Sequence, residues 1–200
     1  NDVVCMSNIN RQIIALHSTV GMYKVDVVEQ RIRDINPNCE VNKFKMFYLK
    51  DSADEIDLSV YDYVIDCIDT VSAKIEIIRR CKELNVPVLC SMGTANKMNP
   101  MAFKIVDISK THTDPLAKVI RTKLRKEDRI TKGIPVVFSD ESPIVVREDV
   151  VETVGKPDAA IRKAKMPPSS NAFVPSVVGL ICASWVINDI TKNNTINRVQ

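Results

Sequence analysis

Three charged residues far apart in the sequence have the right chemistry to hold the phosphates of a nucleotide. They are Arg11, Lys24 and Asp69. A guanidinium offers a rigid fork of donors to phosphate oxygens, and an ammonium offers a point charge. A carboxylate can hold a magnesium ion that bridges the phosphates. The residue types therefore suit nucleotide binding, although a surface arginine and a lysine at a helix start would equally account for Arg11 and Lys24.

The loop at 7–12 supplies further candidates. It follows a short apolar run, residues 3–6, that reads as the end of a β-strand. In an α/β protein, a polar loop past the carboxyl end of a strand lies where open sheets bind their ligands. Asn8 and Asn10 can hydrogen-bond a ribose or a phosphate without adding charge. The loop is therefore a candidate ligand-binding segment.

Asp69 stands between a predicted strand and a predicted helix. The apolar run 63–66 fits a buried parallel strand. Residues 70–84 have helical periodicity, with one apolar face formed by Val71, Ile75, Ile78 and Cys81. Asp69 is then either the N-cap of this helix or a ligand beside it. Both roles are compatible, because the amides at a helix start attract anions.

A second helix, over residues 115–126, is strongly basic. Its apolar stripe is formed by Leu116, Val119, Ile120 and Leu124. The basic side chains around this stripe are Lys118, Arg121, Lys123, Arg125 and Lys126. Such a helix can contact an RNA backbone, where each neutralised phosphate adds salt-dependent affinity. The alternative is an ordinary solvated face.

Composition restricts the protein class. Two hundred residues, 45% of them hydrophobic, suffice for one domain over residues 1–200. The net charge of +3 does not indicate a general nucleic-acid binder, so any such surface must be local and no DNA partner is expected. No apolar run approaches the ~20 residues of a membrane span, which predicts a cytoplasmic protein. The six cysteines form no C-x-x-C pair, and we expect buried, reduced thiols.

The order of the predicted elements indicates the fold class. Alternating strands and helices are followed by a half-buried run at 103–108 that is typical of an antiparallel strand. Further strands are predicted at 39–48, 86–90, 136–139 and 144–146. The pattern predicts an α/β fold with a mixed sheet that is parallel in its N-terminal half and continues with antiparallel strands. Apolar periodicity fails over 147–170, where we predict a mobile loop.

Several motifs together carry a family resemblance. They are DVVCMSNINRQ, TVGMYKVDVVEQRIRDINP, VIDCIDTVSAK, NPMAFKIVDISKTHTDPLAK, VVFSDE and FVPSVVGLICASWVINDI. The combination resembles the MoeB/ThiF superfamily of ATP-dependent adenylating enzymes, and within it the tRNA threonylcarbamoyladenosine dehydratases. The resemblance implies a Rossmann-like nucleotide-binding sheet with helices on both faces. It also implies that ATP is held by Asn8, Arg11, Gln12, Lys24 and Asp69. Arg11 and Lys24 would act on the phosphates, and Asp69 would ligate Mg2+.

The activity implied by the resemblance is adenylation of the threonyl carboxylate of N6-threonylcarbamoyladenosine in tRNA, followed by ring closure with net loss of water. The implied partners are tRNA, a second copy of the chain in a homodimer, and a sulfur-transfer or redox protein. The opening strand of the family, its G-x-G-G-x-G turn and the acidic residue that holds the ribose would precede Asn1. We therefore expect a chain that is incomplete at its N-terminus.

Two other functions remain open. The first is adenylation of the C-terminal glycine of a sulfur-carrier protein, against which the lack of zinc-binding C-x-x-C pairs counts. The second is a non-catalytic nucleotide-binding adaptor that binds a partner through the apolar helix at 177–190. A non-catalytic adaptor is disfavoured because the sequence retains all three charged candidates, Arg11, Lys24 and Asp69.

Overall fold

A mixed β-sheet lies at the centre of the computed structural model, which describes residues 2–145 and 168–192. Its strands are β1 (Val64–Asp66), β2 (Val88–Ser91), β3 (Phe103–Asp107) and β4 (Pro135–Ser139). They are arranged in the order β1-β2-β4-β3. Strands β1, β2 and β4 are parallel, and β3 pairs antiparallel with β4. The predicted mixed sheet is confirmed.

The inner strands are buried on both faces, as their continuous apolar sequences predict. Because side chains alternate along a strand, Val88 and Cys90 lie on one face and Leu89 on the other. Helices α2 (Val71–Leu84) and α3 (Pro115–Glu127) cover the first face. Helix α4 (Val174–Thr191) covers the second. Helices therefore lie on both faces of the sheet, as expected.

Local sequence signals account for the helix ends. Helix α1 (Lys24–Ile35) ends immediately before Asn36 and Pro37, because a residue before proline disfavours helical geometry. Helix α2 ends at Asn85, which adopts a left-handed backbone with φ of 57°. Helix α3 begins after Asp114, whose Oδ1 accepts a 2.8 Å hydrogen bond from the Ala117 amide.

Helix α4 packs by one face only. Val174, Val178 and Cys182, spaced four residues apart, are buried against the sheet. Leu180 and Ile187 lie on the opposite side and are 69% and 58% exposed. By length and composition alone this helix is sufficient to cross a membrane, but a helix that covers a sheet passes the same test.

Three predicted strands are absent from the sheet. Residues 3–6 contribute only an isolated antiparallel bridge between Val3 and Tyr23, because the chain turns at Gly21, with φ of 88°, and returns alongside them. Residues 39–48 and the described part of 144–146 pair with no strand in residues 2–145 and 168–192. An alternating sequence predicts an extended segment but cannot supply the neighbour whose hydrogen bonds would make it a strand.

Half of the cysteines also differ from expectation. Cys81, Cys90 and Cys182 are buried as predicted, whereas Cys5 and Cys67 are exposed and Cys39 is only half-buried. All six cysteines are free. An apolar neighbourhood in the sequence did not reveal that Cys67 lies just past the end of β1, where the chain leaves the sheet. Of the loop predicted at 147–170, residues 147–167 lie outside the described part of the chain.

Candidate nucleotide-binding site

Asp69 lies at the edge of the sheet where strands β1, β2 and β4 all end. Parallel strands bring their carboxyl ends to one edge, which is where open α/β sheets bind ligands. Asp69 is exposed, and it makes no hydrogen bond or ion pair with any other described residue. The N-cap of α2 is Thr70, and no side chain in the described part of the protein caps the helix. The N-cap alternative for Asp69 is therefore wrong, and its carboxylate is available to a ligand.

A buried ion pair supports the segment that carries Asp69. The Lys74 ammonium lies 2.6 Å from Oδ2 of Asp66, and both side chains are completely buried. Lys74 also donates to the Ser91 carbonyl at 3.0 Å. Oδ1 of Asp66 accepts from the Ile68 amide at 3.0 Å, which fixes the first residues after β1. Two buried charges are tolerated here because each has a partner and further hydrogen bonds.

This pair was not predicted, although the sequence contains a signal for it. Lys74 falls on the same helical face as the apolar residues Ile78 and Cys81, four and seven positions further along. A lysine on the buried stripe of a helix requires an acidic partner. Asp66, at the end of an apolar strand, was the candidate.

Asn8, Arg11 and Gln12 share one tight turn. Asn8 is buried, and its Oδ1 accepts from the Cys5 amide at 3.0 Å. Its carbonyl accepts from the amides of Arg11 and Gln12 at 3.1 Å and 2.9 Å. The side chain of Asn8 therefore organises the turn, while that of Gln12 makes no hydrogen bond within the described residues.

The guanidinium of Arg11 is held by its own loop. Its Nη1 donates to the Ser7 carbonyl at 2.7 Å and to Oδ1 of Asn10 at 3.0 Å. Neither acceptor is charged, and Arg11 forms no ion pair with the described residues. The remaining guanidinium donors bond to no residue in the described part of the chain and can bind an anion.

Lys24 is the first residue of α1 and lies beside residues 2–4. Its ammonium forms an ion pair with the exposed carboxylate of Asp2, and its amide donates to the Asp2 carbonyl at 3.0 Å. The amides of Asp26 and Val27 are bonded to the Tyr23 carbonyl, so Lys24 can offer a phosphate its ammonium rather than a set of free helix amides. Among the described residues, no hydrogen bond or ion pair joins Arg11, Lys24 and Asp69 to one another.

Polar contacts nevertheless attach the Arg11 loop to the segment that follows β2. Nδ2 of Asn10 donates to the Ser170 carbonyl at 2.9 Å. The adjacent Ser169 donates through its amide and its hydroxyl to Oδ1 of Asn96, at 2.8 Å and 2.7 Å. Asn96 lies in the connection that leaves β2 at the edge where Asp69 is presented. The Arg11 loop is thus bound to the same side of the sheet.

Cys67 lies two residues before Asp69 in the sequence, and the residue is exposed. A hydrogen bond from the Cys182 thiol lowers the pKa of Cys67 to about 7, and desolvation opposes this shift. The same contact, together with burial, raises the pKa of Cys182. The sequence predicts a buried, reduced thiol at Cys67, and the predicted burial is wrong.

The basic residues of α3 divide into two groups. Lys118, Lys123, Arg125 and Lys126 are exposed. Arg121 is half-buried and donates to the Thr111 carbonyl at 2.8 Å and to the Thr111 hydroxyl. Arg121 therefore joins α3 to the preceding turn, and the solvent-facing positive charge comes from the other four residues.

The described residues contain no cluster of three or more histidine, cysteine or acidic side chains that could hold a metal ion. A single free carboxylate such as Asp69 still suits magnesium. In nucleotide sites this ion takes most of its ligands from phosphates and water. The residues present therefore fit a magnesium ion that arrives with the nucleotide.

Comparisons with known proteins identify the family. A sequence model of the ThiF family matches residues 1–200. The chain belongs to the ThiF family. This membership confirms the superfamily predicted from the sequence motifs.

Individual ThiF-family proteins are also similar to this chain. It is 56% identical over 199 residues to the tRNA threonylcarbamoyladenosine dehydratase of Bacillus subtilis (strain 168). The alignment covers 100% of this chain and 78% of that protein. The crystal structure of the E. coli tRNA N6-threonylcarbamoyladenosine dehydratase TcdA in complex with AMP superposes with a TM-score of 0.82 at 30% identity, covering 96% of this chain and 73% of that one. The crystal structure of TcdA in complex with ATP superposes with a TM-score of 0.74 at 27% identity, covering 96% of this chain and 75% of that one.

Proposed function

We propose that this ThiF-family protein is an ATP-dependent dehydratase that cyclises N6-threonylcarbamoyladenosine in tRNA. The similarity to the Bacillus subtilis enzyme along 199 residues supports this assignment. The single structural observation behind it is the contact between Asn10 and Ser170, next to the bonds between Ser169 and Asn96. These contacts bind the Arg11 loop to the sheet edge that presents Asp69.

The first chemical step is adenylation of the threonyl carboxylate. A carboxylate oxygen attacks the α-phosphorus of ATP, and pyrophosphate leaves with the electrons of the broken P–O bond. Arg11 and Lys24 neutralise charge on the phosphates and orient them, with Lys24 exchanging Asp2 for phosphate. The carboxylate of Asp69 would hold a magnesium ion, which would supply positive charge to neutralise the phosphates.

The second step closes the ring. The hydroxyl or the amide of the threonylcarbamoyl group attacks the activated acyl carbon. AMP leaves with one oxygen of the original carboxylate, and the attacking group loses its proton. The nucleoside therefore loses one water in total, while ATP becomes AMP and pyrophosphate. The substrate supplies both reacting groups, so the residues of the protein bind and orient.

A tRNA surface on α3 is part of the proposal. Lys118, Lys123, Arg125 and Lys126 face solvent and neutralise RNA phosphates. The half-buried Arg121 contributes less, because Thr111 already accepts from its guanidinium. The target base in a single-stranded loop is open to recognition by unstacking, as proteins commonly read RNA.

The proposed assembly is a cytoplasmic homodimer, as the family resemblance implies. Exposed apolar side chains in the N-terminal region and on the outer face of α4 suit an interface with a second copy. They include Ile13, Leu16, Leu180 and Ile187. A sulfur-transfer or redox protein is a further proposed partner.

The deciding experiment incubates the full-length protein with ATP, magnesium and tRNA that carries the threonylcarbamoyl modification. Nucleoside mass spectrometry should detect the loss of one water from the modified adenosine, in step with AMP release. An unchanged nucleoside would contradict the proposal. In that case, ATP–pyrophosphate exchange with a protein ending in Gly-Gly would support the sulfur-carrier alternative. ATP binding without turnover on either substrate would support the adaptor.

A further inference from the structure

A series of hydrogen bonds, joined through the adjacent residues Ser169 and Ser170, runs from Arg11 to the connection after β2. It begins at the Arg11 guanidinium, which donates to Oδ1 of Asn10 at 3.0 Å. The amide nitrogen of Asn10 then donates to the Ser170 carbonyl at 2.9 Å. This orientation of the Asn10 amide is the only one in which both contacts pair a donor with an acceptor. Asn10 therefore links the arginine to residues 169–170.

Asn96 holds the other end of this series. Its Oδ1 accepts from both the amide and the hydroxyl of Ser169, at 2.8 Å and 2.7 Å. The backbone amide of Asn96 donates to the Ser169 carbonyl, and its backbone carbonyl accepts from the Ile144 amide, both at 2.8 Å. Asn96 is 8% exposed, so these bonds are largely shielded from water. One residue thus binds the chain at 144 and at 169.

The segment around Asn96 is itself anchored to the sheet. The buried ammonium of Lys97 donates to the carbonyls of Ser139 and Glu141, at 3.2 Å and 2.8 Å, at the end of β4. The side chain of Asn171 donates to the Lys97 carbonyl at 3.1 Å and accepts from the Val174 amide at 2.8 Å, at the start of α4. The series therefore connects Arg11 to the rigid part of the fold.

We propose that Asn10 and Asn96 are positioning residues that aim the Arg11 guanidinium at the nucleotide phosphates through Ser169 and Ser170. The proposal deepens the proposed function and rests on it, since it requires Arg11 to contact phosphate. Arg11 itself belongs to a loop outside the sheet. Its bond to the Ser7 carbonyl stays within that loop, whereas the series of bonds through Asn10 connects its direction to the sheet. Displacing a binding group by about 1 Å can cost roughly a hundredfold in rate, so loosening this series affects the reaction as well as the fold.

The backbone at Asn96 allows a clean test. Its φ of 59° is left-handed, a conformation that glycine adopts without strain. Asn96→Gly therefore removes the acceptor of Ser169 and leaves the local backbone undisturbed. Asn96→Asp keeps an oxygen acceptor at the same position. Asn99→Gly is the matched control, because Asn99 caps the neighbouring turn at Met101 and takes no part in the series.

The measurement is the dissociation constant of ATP in the presence of magnesium. Each variant of the full-length protein is measured by itself and again in combination with Arg11→Ala. We expect Asn96→Gly and Asn10→Ala to weaken ATP binding about tenfold, which corresponds to the loss of roughly one well-formed hydrogen bond to a charged group. Asn96→Asp should bind ATP with an affinity close to that of the wild type. In the Arg11→Ala background the same changes should weaken binding less than about twofold, because coupled residues are not additive. The Asn99→Gly control should not alter affinity.

Full additivity with Arg11→Ala would overturn the positioning role, because a general loss of stability acts independently of Arg11. Equal loss in Asn96→Asp and Asn96→Gly would also overturn it. If Arg11→Ala leaves ATP affinity unchanged while the Asn96 variants reduce it, Arg11 does not contact phosphate, and the part of the proposed function that assigns it there fails instead.

Discussion

The two regions that supply the candidate site differ in how they are packed. The sheet region, residues 64–139 with α4, contains completely buried side chains such as Ile78, Leu89 and Val137. The N-terminal region, residues 2–49, has a small buried cluster of Val4, Ala15 and Val27. Packed interiors resist displacement, so the sheet region can present Asp69 rigidly. The N-terminal region carries Arg11 and Lys24 and depends on polar contacts to hold them in place.

The charges of the two regions differ in the same way. Asp66 and Lys74 pair where water is excluded. In the N-terminal region Lys43 pairs with Asp26, at 2.8 Å, and with Glu29 at the surface. The pKa values of Asp26 and Glu29 are lowered mainly by the hydrogen bonds that Lys43 donates to them. The same hydrogen bonds raise the pKa of Lys43. Salt screens such surface pairs but has little effect on a buried one.

The largest expected effect is on catalysis. Asp69→Ala should lower turnover at least about a thousandfold, or about 4 kcal/mol, because the proposed ligand for the magnesium ion beside the reacting phosphates is lost. The melting temperature should stay at the wild-type value, since Asp69 has no partner among the described residues. Asp51→Ala, which removes another exposed carboxylate, is the matched control. Wild-type activity in Asp69→Ala would remove the metal role of Asp69.

The buried pair provides the second test, measured by chemical denaturation. Lys74→Met should lower the free energy of unfolding by about 3–5 kcal/mol, because the Asp66 carboxylate is left buried without a counter-charge. The double variant Asp66→Asn with Lys74→Met should recover most of that loss, since no charge is then buried. If Lys74→Met were as stable as wild type, the pair would be open to water, and the contrast between the two regions would be weaker than the packing implies.

A matched pair of truncations compares the two regions directly. Val136 in β4 is 0% exposed and Val27 in α1 is 7% exposed. Each Val→Ala change removes about 1.6 kcal/mol of transfer free energy, and a tightly packed site adds a cavity term. We therefore expect about 3 kcal/mol of destabilisation for Val136→Ala and about 1.5 kcal/mol for Val27→Ala. Equal losses in denaturant titrations would mean that the N-terminal region is packed as tightly as the sheet.

The smallest effect concerns tRNA binding by the sheet region. Reversing the charges of Arg125 and Lys126 should weaken tRNA binding and reduce the slope of log affinity against log salt by about 1 to 2, as the loss of one or two phosphate contacts predicts. Glu127→Gln, a neighbouring neutralisation, should leave or slightly strengthen binding. A salt slope equal to that of the wild type would return α3 to the solvated-face interpretation.

Much of the sheet region could be predicted because its signals are local. Runs such as 63–66 and 86–90 are apolar throughout, and the periodicity of 70–84 marks a helix that buries Ile75, Ile78 and Cys81 as expected. The N-terminal region was predicted less well. Its segments at 3–6 and 39–48 have strand-like sequences, but a strand also needs a partner, and partners are set by the whole fold.

The sequence by itself determined the family, the mixed sheet and the candidate residues Arg11, Lys24 and Asp69, because residue types and short spacings are properties of the chain alone. Only the tertiary structure decided that Asp69 has no partner among the described residues, that Arg121 donates to Thr111, and that Asn96 and Asn10 connect the Arg11 loop to the sheet. These contacts join residues as much as 160 positions apart. Such pairings depend on how helices and strands pack together, and no local pattern contains that information.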